Sequence, residues 1–138
     1  MNLSSLATDN VTELLVKVME FTRTRHEILG RNITGIHGPG FAPKDLPVDE
    51  FSGSLSYAVD EHIRNDRLVF CDTENVKFGT LGAVEATPRV DEDAKVLFET
   101  DRDKYLQLQM KKLFENSLNH RAAAELLKQK QATLSNIS

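Results

Sequence analysis

Along two stretches of this chain apolar residues recur at alternating steps of four and three, the pattern of a helix with one buried face. In the first, the line runs through Val11, Leu15, Val18, Thr22, Arg25, Leu29, Asn32 and Ile36, and Leu14, Phe21, Ile28 and Ile33 broaden it. Asn10 stands at the expected N-cap with Glu13 three residues on, close to a capping box. The pattern predicts a helix of about seven turns. It stops where Gly35, Gly38, Pro39 and Gly40 crowd together. In the second stretch the line is Leu106, Met110, Leu113, Ser117, His120, Ala124, Leu127, Gln131 and Leu134, flanked by Phe114, Leu118, Ala123, Leu126 and Ile137. Asp101 or Asp103 suits its start, where a carboxylate meets free amides and the positive end of the helix dipole.

Residues 44–103 lose this rhythm. Gly and Ser separate isolated apolar residues after Val48, and a short helix is expected near Ser54 to Arg64. Lys77-Phe-Gly-Thr-Leu-Gly-Ala83 carries two glycines at a bend. Residues 83–87 and 95–100 read either as the arms of a small β-hairpin around Arg89 to Asp93 or as helical turns. With little periodic apolar surface of its own, this segment is expected to be weakly ordered in the free chain.

The expected fold is therefore mainly α. Long amphipathic helices at the two ends pack as an antiparallel coiled-coil-like pair, with a partly disordered or small-β middle. One domain is built from both termini: residues 1–43 form the first helix and a Gly-Pro-Gly corner, 104–138 the last helix, and 44–103 the connection. Arg25, Asn32, Ser117, His120 and Gln131 interrupt the apolar lines. A thin pair with such gaps is expected to complete itself against neighbouring molecules.

Composition narrows the partners. The 138 residues carry a net charge of −4, and the basic residues are spread out, which argues against nucleic acid or anionic lipid as the main partner. Cys71 is the single cysteine and has no intramolecular disulfide partner. No apolar run approaches the roughly 18 residues of a membrane span, so no direct membrane insertion is expected. The opening MNLSSLATDN lacks the charged start and apolar run of a cleaved signal peptide.

Catalytic patterns are missing too. His26, His37, His62 and His120 do not pair with one another or with Cys71 at metal-ligand spacing. The glycines at 35–40 follow a helix C-terminus, where free carbonyls repel anions, so a phosphate-binding loop is not expected. Gly35, Gly38 and Gly40 read as helix termination by residues tolerant of positive φ, His37 as a solvated side chain, and Asp91-Glu-Asp93 as a solvated acidic turn. No catalytic, cofactor or metal site is expected, and the chain does not read as an enzyme.

Arg25-His-Glu-Ile-Leu-Gly-Arg-Asn-Ile33, followed by Gly38-Pro-Gly-Phe41 and Lys44-Asp-Leu46, resembles the N-terminal signature of flagellar basal-body rod proteins of the FlgB, proximal-rod type. Phe114-Glu-Asn-Ser-Leu-Asn-His-Arg-Ala-Ala-Ala-Glu-Leu-Leu-Lys-Gln-Lys130 is similar to that family's C-terminal helix. About half the chain is covered. There are departures: the family's Thr-Pro-Gly-Tyr turn is Gly38-Pro-Gly-Phe41, Arg31 and Thr34 stand where alanines are usual, and His120 replaces a Tyr.

The resemblance implies a structural subunit without enzymatic activity. It would be made in the cytoplasm and exported unfolded, with no cleaved signal, through the flagellar type III channel. In the periplasmic rod it would assemble helically with copies of itself, other rod subunits and the export-gate base of the basal body. The assembly and turn residues would be Arg25, Ile28, Leu29, Asn32, Ile33, Gly38, Pro39, Gly40 and Phe41. The C-terminal helix would contribute Leu106, Met110, Leu113, Leu118, Leu127 and Leu134. The corner at Gly38 to Gly40 is expected to send Phe41 to Leu46 across a neighbouring subunit, with Phe41 as an apolar anchor. The alternative is a cytoplasmic helical-hairpin adaptor that dimerises through the same stripes.

Overall fold

The computed structural model describes residues 9–137, with side chains through residue 133. Leu134 and Ile137 of the expected C-terminal stripe therefore have side chains outside the described residues. The first helix, α1 (Asn10–Thr34), starts one residue earlier than the capping pattern suggested. Asp9 is the cap: its carboxylate accepts from the amides of Val11 and Thr12 at 2.9 and 3.1 Å. Asn10 instead opens the first turn and turns its amide toward His62 Nδ1 at 3.1 Å.

At the other end of α1 the Gly35 amide donates back to the Arg31 carbonyl. Among the described glycines only Gly40 has a positive φ, 69°. The expectation that all three corner glycines need that freedom holds for Gly40 alone. Gly35 excludes a side chain for a different reason, because a Cβ there would lie 2.8 Å from the Arg31 carbonyl and 3.6 Å from the Phe41 ring.

The middle segment has more structure than its sequence pattern suggests. After the corner come β1 (Lys44–Asp45), α2 (Val48–Asn65), β2 (Val76–Phe78), β3 (Val84–Ala86), β4 (Arg89–Val90) and α3 (Glu92–Thr100). Strand β1 pairs antiparallel with β4, and β2 with β3. Of the two readings for residues 83–87 and 95–100, the hairpin between them is not formed, and the helical one holds for 95–100. Residues 84–86 pair back onto 76–78, and 92–100 are helical because Asp91 caps the Ala94 amide at 3.1 Å with Glu92 and Asp93 in the first turn. Helix α2 begins six residues before the expected Ser54, its buried face set by Phe51, Ser54 and Ala58.

The apolar residues of this segment look sparse because their partners lie in α1. Phe21 and Ile28 of α1 form one core with Leu46, Phe51 and Val76. The Phe21 and Phe51 rings stack with centroids 3.9 Å apart, and Phe78 and Phe70 extend the stack. Beside it Lys17 is fully buried; its ammonium donates to the carbonyls of Gly79 and Leu81, pairs with Glu13 at 3.5 Å and lies 4.8 Å from the Phe70 ring. Burial pushes this ammonium below its usual pKa range, with Glu13 partly restoring it.

The last helix, α4 (Arg102–Ile137), starts with the Asp101 carboxylate on the Lys104 amide at 3.1 Å. At about 1.5 Å per residue it spans roughly 54 Å. Contacts advance along α1 as they retreat along α4: Asp9 meets Lys130, Thr22 meets His120 and Asn116, and Asn32 meets Gln109 and Tyr105. No described helix is long and apolar enough to cross a membrane.

Candidate functional site

The groups with the most specific geometry gather where the corner meets both long helices. Asn32, on the last turns of α1, is buried and spans the turn: its Oδ1 accepts from the Lys44 amide at 3.0 Å and its Nδ2 donates to the Lys44 carbonyl at 2.7 Å. The same Nδ2 donates to Gln109 Oε1 at 2.9 Å, and the Tyr105 hydroxyl donates to the Asn32 carbonyl at 2.5 Å. One side chain thus ties the end of α1 to β1 and to α4. Burial raises the Tyr105 phenol to about 12, so it stays a donor at any physiological pH.

A second, charged layer lies two turns nearer the start of α1. Arg25 grips Asp45 with two parallel bonds, Nε to Oδ1 at 2.8 Å and Nη2 to Oδ2 at 3.0 Å. Lys112 of α4 bridges Asp45 at 3.1 Å and Asp91 at 2.5 Å. Burial works against the Asp45 charge, yet Arg25 and Lys112 outweigh it and hold the carboxyl below its usual range. Burial likewise opposes the Lys112 charge, and Asp91 with Asp45 raises its pKa regardless. These side chains floor a cleft of about 600 Å³ whose rim adds Asp49, Arg89, Glu92, Asp93 and Glu115.

Phe41 packs within its own chain. Its ring lies 5.1 Å from Phe98, which in turn meets the edge of Tyr105 at 5.1 Å and carries Arg102 over its face at 3.8 Å. Leu46 is buried in the core. The expectation that Phe41 to Leu46 cross to a neighbour is therefore corrected. The Asn32 bridge and the β1–β4 pairing fold the segment back onto its own chain.

The expected α1 residues largely converge. Ile28, Leu29 and Asn32 are buried, Arg25 is paired and Ile33 is half-buried; Gly38, Pro39 and Gly40 are exposed at the corner. The expected face of α4 is rotated. Leu106, Leu113 and Leu127 are half-buried, Met110 and Leu118 are exposed, and the fully buried positions are Tyr105, Gln109, Asn116 and Ala123. Apolar residues occur almost all round α4, so periodicity does not select a face. The polar partners select it: Gln109 meets Asn32, and Asn116 Nδ2 donates to the Thr22 carbonyl at 2.7 Å. Tyr105, Gln109, Lys112 and Asn116 follow the same four-three spacing, but as polar residues they carry no apolar signal.

The charges on the floor of the cleft, Arg25, Asp45, Lys112 and Asp91, are spent on one another, and its lining holds no His or Cys. A groove of about 490 Å³ on the other side of the helix pair is lined by His26 and His120, with His120 Nδ1 held 2.8 Å from the Thr22 hydroxyl. Among the described residues, no three His, Cys, Asp or Glu side chains come together to hold a metal ion. The chain matches no family model, no curated protein and no solved structure.

Proposed function

We propose that this chain is a structural subunit of the bacterial flagellar basal-body rod, exported unfolded and assembled helically with copies of itself and other rod proteins. The observation that carries the reading is the Asn32 bridge. The two stretches that resemble rod-protein signatures are residues 25–46, which run from the end of α1 through the corner to β1, and 114–130 of α4, and this side chain and its neighbours lock those elements together. In this reading both termini fold as one unit, with an antiparallel coiled-coil-like pairing as its frame. Export as an extended chain precedes folding, and the polar seam forms only once Lys44, Gln109 and Tyr105 reach Asn32. The role is architectural and not catalytic, and its place is the periplasmic rod above the export gate.

The competing reading, a cytoplasmic helical-hairpin adaptor, draws on the exposed apolar row of α4. Deletion of the coding sequence in its source organism separates the two. The rod reading predicts cells without flagellar filaments, restored by the intact gene. Normal filaments in the deletion strain contradict it.

A further inference from the structure

The outward face of α4 carries a row that nothing in the chain covers: Met110 is 64% exposed, Phe114 66% and Leu118 47%. Asp103, Gln107, Met110, Phe114, Ser117 and Arg121 succeed one another at alternating steps of four and three, and all six are exposed. That is the spacing of a coiled-coil seam. It lies opposite the buried Tyr105, Gln109 and Asn116.

Laid against a reversed copy of itself, centred level with Lys112, this row is self-complementary. Asp103 meets Arg121, Gln107 meets Ser117, and Met110 meets Phe114, each pair occurring twice. The centre is apolar, the next layer polar, and the ends are opposite charges. Neither Asp103 nor Arg121 takes part in an ion pair among the described residues. A parallel copy would instead set Asp103 on Asp103 and Arg121 on Arg121, so the charges select the antiparallel arrangement. Lys111 meets its own copy at the solvated rim, where a like-charge pair costs little.

We propose that α4 pairs with the α4 of a second copy of this chain, antiparallel, through Met110, Phe114 and the Asp103–Arg121 couples. The seam covers 103–121, about 27 Å of helix. A single helix pair of that length falls below the about 1,200 Å² of stable interfaces, so the dimer is reversible and of micromolar or weaker affinity. The pairing goes beyond the rod reading and does not depend on it.

The test is sedimentation velocity of the full chain from about 5 to about 500 µM, with Cys71→Ser to remove disulfide cross-linking of the exposed thiol. A monomer–dimer equilibrium is expected, abolished by Phe114→Asp. Arg121→Asp sets like charges together and weakens the dimer at least about tenfold. Asp103→Arg combined with Arg121→Asp restores it to within about threefold, because the couple is re-formed with its charges exchanged. Each substitution is on the exposed face, so the fold is kept. A chain that stays monomeric to the highest concentration, or a double variant no tighter than Arg121→Asp alone, overturns the pairing.

Discussion

Asn32 and Gln109 lie 77 residues apart in sequence and are joined by a buried hydrogen bond of 2.9 Å, from Asn32 Nδ2 to Gln109 Oε1. The two residues do not contribute equally. Asn32 also holds both backbone groups of Lys44, whereas Gln109 Nε2 is buried with no partner among the described residues. Leaving buried donors and acceptors unpaired costs more than removing a pair that is already half satisfied. Asn32→Leu is therefore expected to lower stability by about 2–4 kcal/mol. Gln109→Met is expected to change it by less than about 1 kcal/mol, since it discards an orphaned amide along with one bond. Urea midpoints of the two variants check the ranking, and equal losses would contradict it.

At the corner, Gly40 has φ 69° with open space around the position a Cβ would take, so the cost of a side chain there is backbone strain alone. Gly40→Val is expected to cost about 1–2 kcal/mol and Gly40→Asn clearly less, because asparagine tolerates the left-handed region. Gly38 has no positive φ, and Gly38→Ala is expected to be milder than Gly40→Val. Thermal melts that place Gly38→Ala below Gly40→Val would refute this account of the corner.

Lys17 pins the β2–β3 hairpin to α1 through the Gly79 and Leu81 carbonyls. Leu81 itself has φ 50°, a conformation a leucine adopts only under constraint. Lys17→Met keeps the length of the side chain but leaves those carbonyls unpaired. Local opening of the hairpin should follow, with amide exchange at Gly79 and Ala83 faster by about tenfold or more while the core of α1 keeps its protection. Unchanged exchange at those two amides would show that the lysine does not hold the hairpin.

Glu50 titrates far below its ordinary range. The Thr73 hydroxyl, the Asn75 side chain and the Asn75 amide hydrogen-bond its carboxylate and bring it from 4.5 down to about 2. A folded pKa below the unfolded one means the stabilisation is present above the unfolded pKa and is lost as pH falls toward the folded one. The advantage of the native chain over Glu50→Gln should therefore be full near neutral pH and shrink between pH 4.5 and about 2. Denaturant titrations of both proteins across that range check the sign. A gap that widens on acidification would contradict it.

The sequence was most legible where apolar period and chain punctuation agree. In α1, Leu15, Phe21, Ile28, Leu29 and Asn32 all lie on the predicted face, and the helix stops at Thr34, beside the predicted glycines. What periodicity does not carry is pairing between polar groups. Lys17 reads as a solvated helix residue until the hairpin 62 residues away supplies its acceptors. Tyr105, Gln109 and Asn116 look like the polar side of α4 until α1 offers Asn32 and the Thr22 carbonyl. The middle segment was obscured in the same way. Leu46, Phe51 and Val76 are too scattered to signal a core, and become one against Phe21 and Ile28.

The most direct measurement of the rod role is quantitative mass spectrometry of flagellar basal bodies purified from the source organism. The rod reading predicts that this chain co-purifies with them in a fixed ratio to the other rod subunits. Basal bodies that are complete without it, with the protein left in the soluble fraction, would contradict that role.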